Sequence, residues 1–250
     1  METYHKIQTI FKRDPKTKFK TLLEGEFSLP EFDFLSSNDW VLTEKVDGTN
    51  IRVIFANDGI EFRGKSDQAQ LPAQLVKNLE KRFLPQLKTF ENSFSDGICL
   101  YGEGYGPKIQ KGGKYRDDQD FVLFDIKIGE YWLQREDVEQ IAIKLGLDVV
   151  PILFTGTIAD MVDIVRKGFN SKWGNFIAEG IVARPKTELK TRSGHRIITK
   201  LKHKDFALIT EDKWSILQSV DEGEWVTRSH PTMSKENKTN EKKYSYLKGN

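Results

Sequence analysis

The sequence predicts an α+β protein of antiparallel sheets with a few packed helices. Three observations carry this. Short apolar or alternating runs, several bounded by Asp-Gly-type turns, recur along the chain. Only a few stretches show the 3.6-residue period of an amphipathic helix. Strands and helices do not alternate strictly, as a doubly wound parallel sheet requires. The 250 residues are 38% apolar and 30% charged, the composition of a globular chain long enough for a substantial core. No 20–50-residue repeat and no apolar run near the ~20 residues of a membrane span is present. The first residues, METYHKIQTIFKRD, lack the order of a secretory signal. One cysteine, Cys99, excludes an intrachain disulfide and a Cys-based zinc cluster and suits a reducing cytoplasm. With 39 basic and 37 acidic side chains, net charge neither demands nor excludes nucleic acid, so clustering must decide.

In order, 41–44, 50–56 and 60–63 read as strands, with turn signals at Asp47-Gly48 and Asn57-Asp58-Gly59. Apolar positions 75, 76, 79 and 83 have helical spacing, ended by Pro85. Residues 97–103 and 121–128 are further strands. Residues 134–145 form an amphipathic helix stopped by Gly146. A buried-type strand over 149–154 precedes a helix over 157–166 with Thr157 as cap. Residues 180–183 and 196–202 are the last strands, 206–220 a terminal helix, and 228–250 a polar, basic tail. This divides the chain into a domain over 1–205 and an appendage over 206–250.

The stretch that carries chemistry is Thr43-Glu44-Lys45-Val46-Asp47-Gly48-Thr49-Asn50, a lysine at a strand end before a tight turn. Alone, Lys-x-Asp-Gly reads more readily as a hairpin turn with a solvated lysine. Four segments follow it in order: Tyr101-Gly102-Glu103-Gly104, the aromatic strand Asp120-Phe121-Val122-Leu123-Phe124-Asp125-Ile126, Phe176-Ile177-Ala178-Glu179-Gly180-Ile181-Val182-Ala183-Arg184-Pro185, and Ile198-Thr199-Lys200-Leu201-Lys202. In this order they resemble the motifs of covalent nucleotidyltransferases, the DNA ligases, RNA ligases and capping enzymes. The resemblance spans 43–206 and is nearest to the phage-type nick-sealing RNA ligase family, through Glu-Lys-x-x-Gly-Thr-Asn and Ala-Glu-Gly-x-Val-x-x-Pro.

The resemblance implies an ATP-grasp-like nucleotidyltransferase domain of antiparallel sheets and packed helices, with too few residues after 205 for the C-terminal OB barrel of DNA ligases. It implies ATP and Mg2+ or Mn2+ as cofactors and Lys45 as the nucleophile that takes AMP. An amine attacks only when unprotonated, so burial and nearby cations are expected to lower its pKa. Lys200 and Lys202 stand at i and i+2 of a strand, on one face and roughly 6–7 Å apart, and are expected to supply that charge while holding phosphate oxygens. Glu103 is the expected ribose acceptor, Glu179 the metal-organising carboxylate, and Asn50 a member of its hydration network. Glu44 is expected to contact the base. Of the two phenylalanines, which a regular strand turns to opposite faces, Phe121 is expected to stack on adenine and Phe124 to fill the core. Arg63 is carried over as a ribose or 5′-phosphate contact, with Arg52 its competitor. Asn50 stands where DNA ligases and capping enzymes usually have arginine, which counts against those branches.

Residues 186–204 hold seven lysines and arginines against Glu188, and 108–116 hold four basic residues with Tyr115. Both are expected to track a phosphate backbone, with Tyr115 stacking a base. The glycine run at 102–106 lacks dinucleotide-fold spacing, and no Gly-Lys-Ser/Thr phosphate loop is expected. The implied activity joins RNA 3′-hydroxyl and 5′-phosphate ends, nicked or single-stranded, away from membranes, by a monomeric cytoplasmic protein, with a viral protein in a host cytoplasm included. The alternatives are a small DNA ligase and a nucleic-acid-binding module that kept the fold without turnover.

Overall fold

The computed structural model describes residues 3–56, 59–94 and 97–206. Three short strands open the chain: β1 (Gln8–Thr9), β2 (Phe11–Arg13) and β3 (Leu22–Phe27). Helix α1 (Pro30–Phe34) leads to β4 (Trp40–Glu44), β5 (Thr49–Ala56) and β6 (Gly59–Arg63). Helices α2 (Ala73–Phe83) and α3 (Leu87–Ser93) precede β7 (Ile98–Tyr105), β8 (Asp120–Ile128) and β9 (Tyr131–Trp132). After α4 (Arg135–Leu145) come β10 (Ile152–Gly156), α5 (Ile158–Lys167), β11 (Gly180–Pro185) and β12 (Thr199–Lys202).

The strands form two five-stranded sheets, ordered β1-β12-β11-β4-β10 and β6-β5-β7-β8-β9, and a separate β2-β3 hairpin. Every pair of named strands is antiparallel except β1 with β12. The architecture is the α+β class that the sequence predicts. Helices α2 and α4 bury Leu75, Leu79, Phe83, Val138 and Ala142 on the second sheet, whose facing residues include Ile51, Val53, Leu100 and Phe121. Helix α5 buries Met161 and Val165 on the first sheet, beside Trp40, Leu42 and Ile181. Local signals fix several boundaries. Thr157 and Asp160 form a reciprocal capping box at the start of α5, and Gly146 ends α4 in the left-handed region at φ 61°.

Helix α2 ends at Phe83, ahead of Pro85, as expected; Pro85 itself sits in the first turn of a short 3-10 segment, where a missing N–H costs nothing, and α3 follows. Two expectations need correcting. Asp47-Gly48 is not a hairpin, because β4 belongs to the first sheet and β5 to the second. The strand expected over 149–154 begins at Ile152, with Val149 only bridging Leu123. The helix over 206–220 and the tail over 228–250 lie outside the described residues, Phe206 apart. Among the described residues, no helix is long and apolar enough to cross a membrane.

Candidate active site

Lys45 follows the last residue of β4, and its N–H still donates to Gly180 O at 3.0 Å. The chain then leaves the first sheet. Residues 46–48 cross to β5 pressed against β7, so closely that a Cβ on Gly48 would lie 2.3 Å from Gly104 O and 2.8 Å from Glu103 Cγ. Glycine is therefore a steric requirement of the crossing. Tyr115 steadies it by accepting the Asp47 N–H on its hydroxyl at 3.1 Å.

Sheet order explains how three distant residues meet. Strand β11 lies between β4 and β12, pairing Ile181 with Glu44 and Gly180 with Lys202. Glu179, just before β11, is thereby delivered between the ends of both neighbours. Lys45 Nζ donates to Glu179 Oε2 and Lys202 Nζ to Glu179 Oε1, each at 2.6 Å. Lys200 shares the Lys202 face of β12 and makes no ion pair among the described residues.

The electrostatics of the free chain reverse one expectation. Burial pulls the Lys45 ammonium down, but Glu179, Glu103 and Asp47 outweigh it and hold the group above its ordinary value. The neighbouring cations act visibly on Lys200, which burial, Lys45, Lys202 and Lys65 together push down.

A cavity of about 270 Å³ opens between the two sheets at this point. Lys45, Glu44 and Lys200 line it from the first sheet, and Asn50, Glu103 and Phe124 from the second. Glu44 is buried, accepting from Ser171 Oγ at 2.6 Å and from the Lys172 N–H at 2.8 Å. Burial raises its carboxyl, and those two donors pull it back. Its carboxylate thus ties the loop before β11 to the cavity edge. Asn50, opposite Glu103 in the β5–β7 ladder, leaves its buried Oδ1 without a hydrogen-bond partner.

Glu103 is the most perturbed carboxyl here. Burial drives it up, Lys45 opposes, Glu179 and Asp47 push it further, and it stands at about 7 against an ordinary 4.5. Between those values the folded chain holds a proton that the unfolded chain releases, so this group makes stability fall as pH rises through that window. Glu103→Gln cannot ionise. It is expected to be more stable than the parent above about pH 7, by about 2 kcal/mol after allowance for screening, with no gain below about pH 4.5. Urea unfolding on either side of the window reads the difference.

The phenylalanines exchange their expected places. Phe121 is fully buried, edge-on to Phe83, with its ring against Gly102, where a Cβ would lie 2.3 Å away. Phe124 lines the cavity. Opposite faces are what strand alternation predicts for this pair; the resemblance assigned the two faces the other way round. A β-bulge follows: Tyr101 pairs with Asp125 and Gly102 with Leu123, so Phe124 is the extra residue, and it is Asp125 and Ile126, beyond it, whose faces shift. Alternation breaks there. Phe121, Leu123 and Ile126 pack into the second-sheet core, while Asp125 turns toward Tyr4 and bonds its hydroxyl at 2.8 Å.

Arg63 is likewise displaced. It stands half-exposed, bonding Glu61 at 2.7 Å, and is absent from the cavity wall. Arg52, opposite it in the ladder, is buried and donates to Gly64 O and Asp67. Lys65, two residues on, reaches the cavity instead. The stretch 59–66 matches Gly-x4-Gly-Lys-Ser to the letter. However, Gly59–Arg63 is an extended strand, and the next helix begins only at Ala73, so no phosphate-wrapping turn forms. Tyr115 is a core residue packed on Phe176 and Trp173 rather than a stacking platform. Arg116 is spent on Asp118 and Asp120, and Arg196 on Asp125 and Glu188. Sequence reasoning missed the wall formed by residues 4–7, which no local pattern announces, and Arg184, whose i+2 relation to Val182 on β11 is the same signal that paired Lys200 with Lys202.

The donors suit a hard divalent cation. Glu179, Glu103 and the unpartnered Asn50 Oδ1 offer oxygen only. Among the described residues, no three His, Cys, Asp or Glu side chains converge as a cage. An Mg2+-type ion, which takes one or two protein oxygens beside waters and substrate phosphates, needs no such cage.

The fold is similar to solved structures of a Naegleria gruberi RNA ligase. A ligand-free mutant aligns with TM-score 0.58 and 18% identity over 85% of this chain and 60% of that one. A mutant with ATP and Mn gives 0.59 and 20% over 85% and 64%. The form with PPi gives 0.57 and 18% over 85% and 60%. The chain thus spans about three-fifths of the length of the ligase it matches. A family model described as RNA ligase matches residues 38–202, a stretch that begins just before β4 and closes on Lys202, taking in Lys45, Glu103, Glu179 and Lys200. Matched over about two-thirds of its length, the chain belongs to the RNA ligase family.

Proposed function

We propose that this chain is an ATP-dependent RNA ligase working through a lysyl-AMP intermediate, with residues 1–205 as the adenylylation domain. The observation that carries the reading is the junction of Lys45, Glu179 and Lys202, with Lys45 lining a cavity whose wall also includes Phe124, Glu103 and Lys200. Lys45 Nζ attacks the α-phosphorus of ATP. An N–P bond forms, the bridging bond to the β-phosphate breaks, pyrophosphate leaves and the amine proton passes to solvent. A 5′-phosphate oxygen of RNA then displaces the lysine, and a 3′-hydroxyl finally displaces AMP to leave a phosphodiester. These in-line displacements need positioning and charge stabilisation more than acid–base groups. Lys200 and Lys202 supply fixed positive charge for the phosphates. Glu103 accepts ribose hydroxyls, and Phe124 offers the base a ring to stack on. A Mg2+ or Mn2+ ion held through Glu179 and Asn50 supplies further charge neutralisation at the triphosphate. Similar ligase structures solved with ATP and Mn support this pairing of ligands.

The test is incubation with α-labelled ATP and Mg2+, then denaturing electrophoresis. Label should stay on the chain and pass to 5′-phosphorylated RNA. Parallel DNA ends measure the preference, and a chain that takes no label is a binding module instead. The two phenylalanines give a second check. Phe121→Ala should cost about 3–5 kcal/mol of stability. Phe124→Ala should cost far less, yet raise the ATP needed for half-maximal labelling about tenfold, the order expected when one base loses its stacking ring.

A further inference from the structure

Next to the cavity, and sharing Lys6, Ile7 and Lys200 with it, runs a groove of about 960 Å³ between β12 and the β2–β3 hairpin. Its charge is one-sided. Among the described residues, lysines at 6, 12, 20, 200, 202 and 204 line it against one carboxylate, Asp205, which Arg13 already holds at 2.8 Å. Lys202 is engaged by Glu179, and Lys12 reaches Glu26 only across 3.4 Å between exposed groups. Lys6, Lys20, Lys200 and Lys204 make no ion pair among the described residues. Four uncompensated ammonium groups along one groove form a footprint for a polyanion.

A second observation narrows the polyanion. Phe19 lines the same groove and is 61% exposed. Lys18 and Phe19 both take positive φ, 55° and 60°, which residues with a Cβ adopt at a cost. The turn is clamped in that shape. The Phe19 N–H donates to Asp14 O at 2.9 Å, and Arg13 Nη1 donates to the carbonyls of Phe19 and Lys20, each at 3.3 Å. The ring gains no core packing for this backbone cost. An aromatic face fixed beside lysines is the combination that binds single-stranded nucleic acid, since every base has a π-face and every linkage a charge.

We propose that this groove carries a single-stranded polynucleotide to the cavity, with the lysines on its phosphates and Phe19 stacked on a base. The proposal rests on the ligase reading and adds the path of the strand that brings its end to Lys45.

The full chain is titrated into a short 5′-phosphorylated, fluorescent single-stranded RNA, with anisotropy read from about 50 to about 200 mM salt. Lys12→Glu with Lys20→Glu should weaken binding at least tenfold and flatten the salt dependence, by about 0.7 in the log–log slope for each phosphate no longer neutralised. Phe19→Ala should weaken RNA about tenfold with the slope unchanged, and should leave inorganic polyphosphate of equal charge bound as by the parent. Lys144→Glu makes the same kind of charge change on α4, at an exposed position, and should alter nothing. Thermal melts confine the comparison to folded variants, and the exposed lysine pair stands in if Phe19→Ala misfolds. Phe19→Ala that binds RNA like the parent overturns the proposal. So does Lys144→Glu that weakens RNA as much as the groove pair does, or polyglutamate that competes as well as RNA at equal charge. Labelling of the parent by ATP is read separately. A chain that takes AMP yet binds RNA independently of these residues loses the groove and keeps the ligase reading; one that binds RNA here but takes no AMP loses that reading.

Discussion

Lys45→Ala is expected to abolish covalent labelling by α-labelled ATP, a loss on the order of 10³-fold or more, because no other group replaces the bond-forming nitrogen. Lys45→Arg should fail as completely. A guanidinium keeps the charge that Glu179 binds but does not give up its proton, so it offers no lone pair to phosphorus. The third step breaks no bond to Nζ, so both variants should still join an RNA strand supplied already adenylylated, and that joining shows that they are folded. The geometry also sets a pH dependence. In the free chain Glu179 and Glu103 hold the proton on Lys45, above the pull of burial. Below that raised value, each added pH unit increases the neutral amine about tenfold. Initial labelling rates at saturating ATP should therefore climb between about pH 6 and about pH 9. A rate that is flat over that range means that bound nucleotide has already stripped the proton. Label on Lys45→Ala would move the nucleophile elsewhere.

Much of this site was legible in the sequence because its residues lie at strand ends, where identity and spacing both speak. Lys45, Glu179 and the pair Lys200 and Lys202 come together through sheet order, and the alternation of β12 already put both lysines on one face. What failed was whatever depends on register or on distant chain. Alternation put Phe121 and Phe124 on opposite faces without saying which face meets the core, and the inserted residue at Phe124 turned Asp125 and Ile126 over, which no local composition marks. Tyr115 and Arg116 read as nucleic-acid contacts because tyrosine and arginine look alike in a loop and in a buried network; only the partners Asp47, Asp118 and Asp120 distinguish them. The first three strands escaped notice for another reason. At two, three and six residues they are short, and β3 carries Gly25, so no period-2 pattern develops. Yet those strands build one side of the groove, and the residues just before them close the cavity.

Glu179→Gln separates two roles that the parent carboxylate combines. It removes the counterion that two largely buried ammonium groups share at 2.6 Å each. Leaving those cations short of negative charge should lower stability by about 2 kcal/mol, less than a fully buried pair would lose because both lysines keep some solvent. Glu179 is the strongest upward influence on Lys45, so its loss should let the amine titrate lower and react faster with a neutral amine reagent near pH 8. A better nucleophile is thus predicted in a variant whose AMP transfer nevertheless collapses by about 10²-fold or more, because on the proposed reading the triphosphate loses the carboxylate that would organise its metal. Mass spectrometry of Lys45 after brief amine modification reads the first effect, and ATP labelling reads the second. The opposing directions are what the geometry demands. In the free chain Glu179 restrains Lys45 and Lys202 together, and arriving phosphates must draw both lysines away before attack. If Glu179→Gln accepted AMP faster than the parent, the carboxylate would be a restraint on the nucleophile alone, and the metal would have to be organised by Asn50 and Glu103 instead.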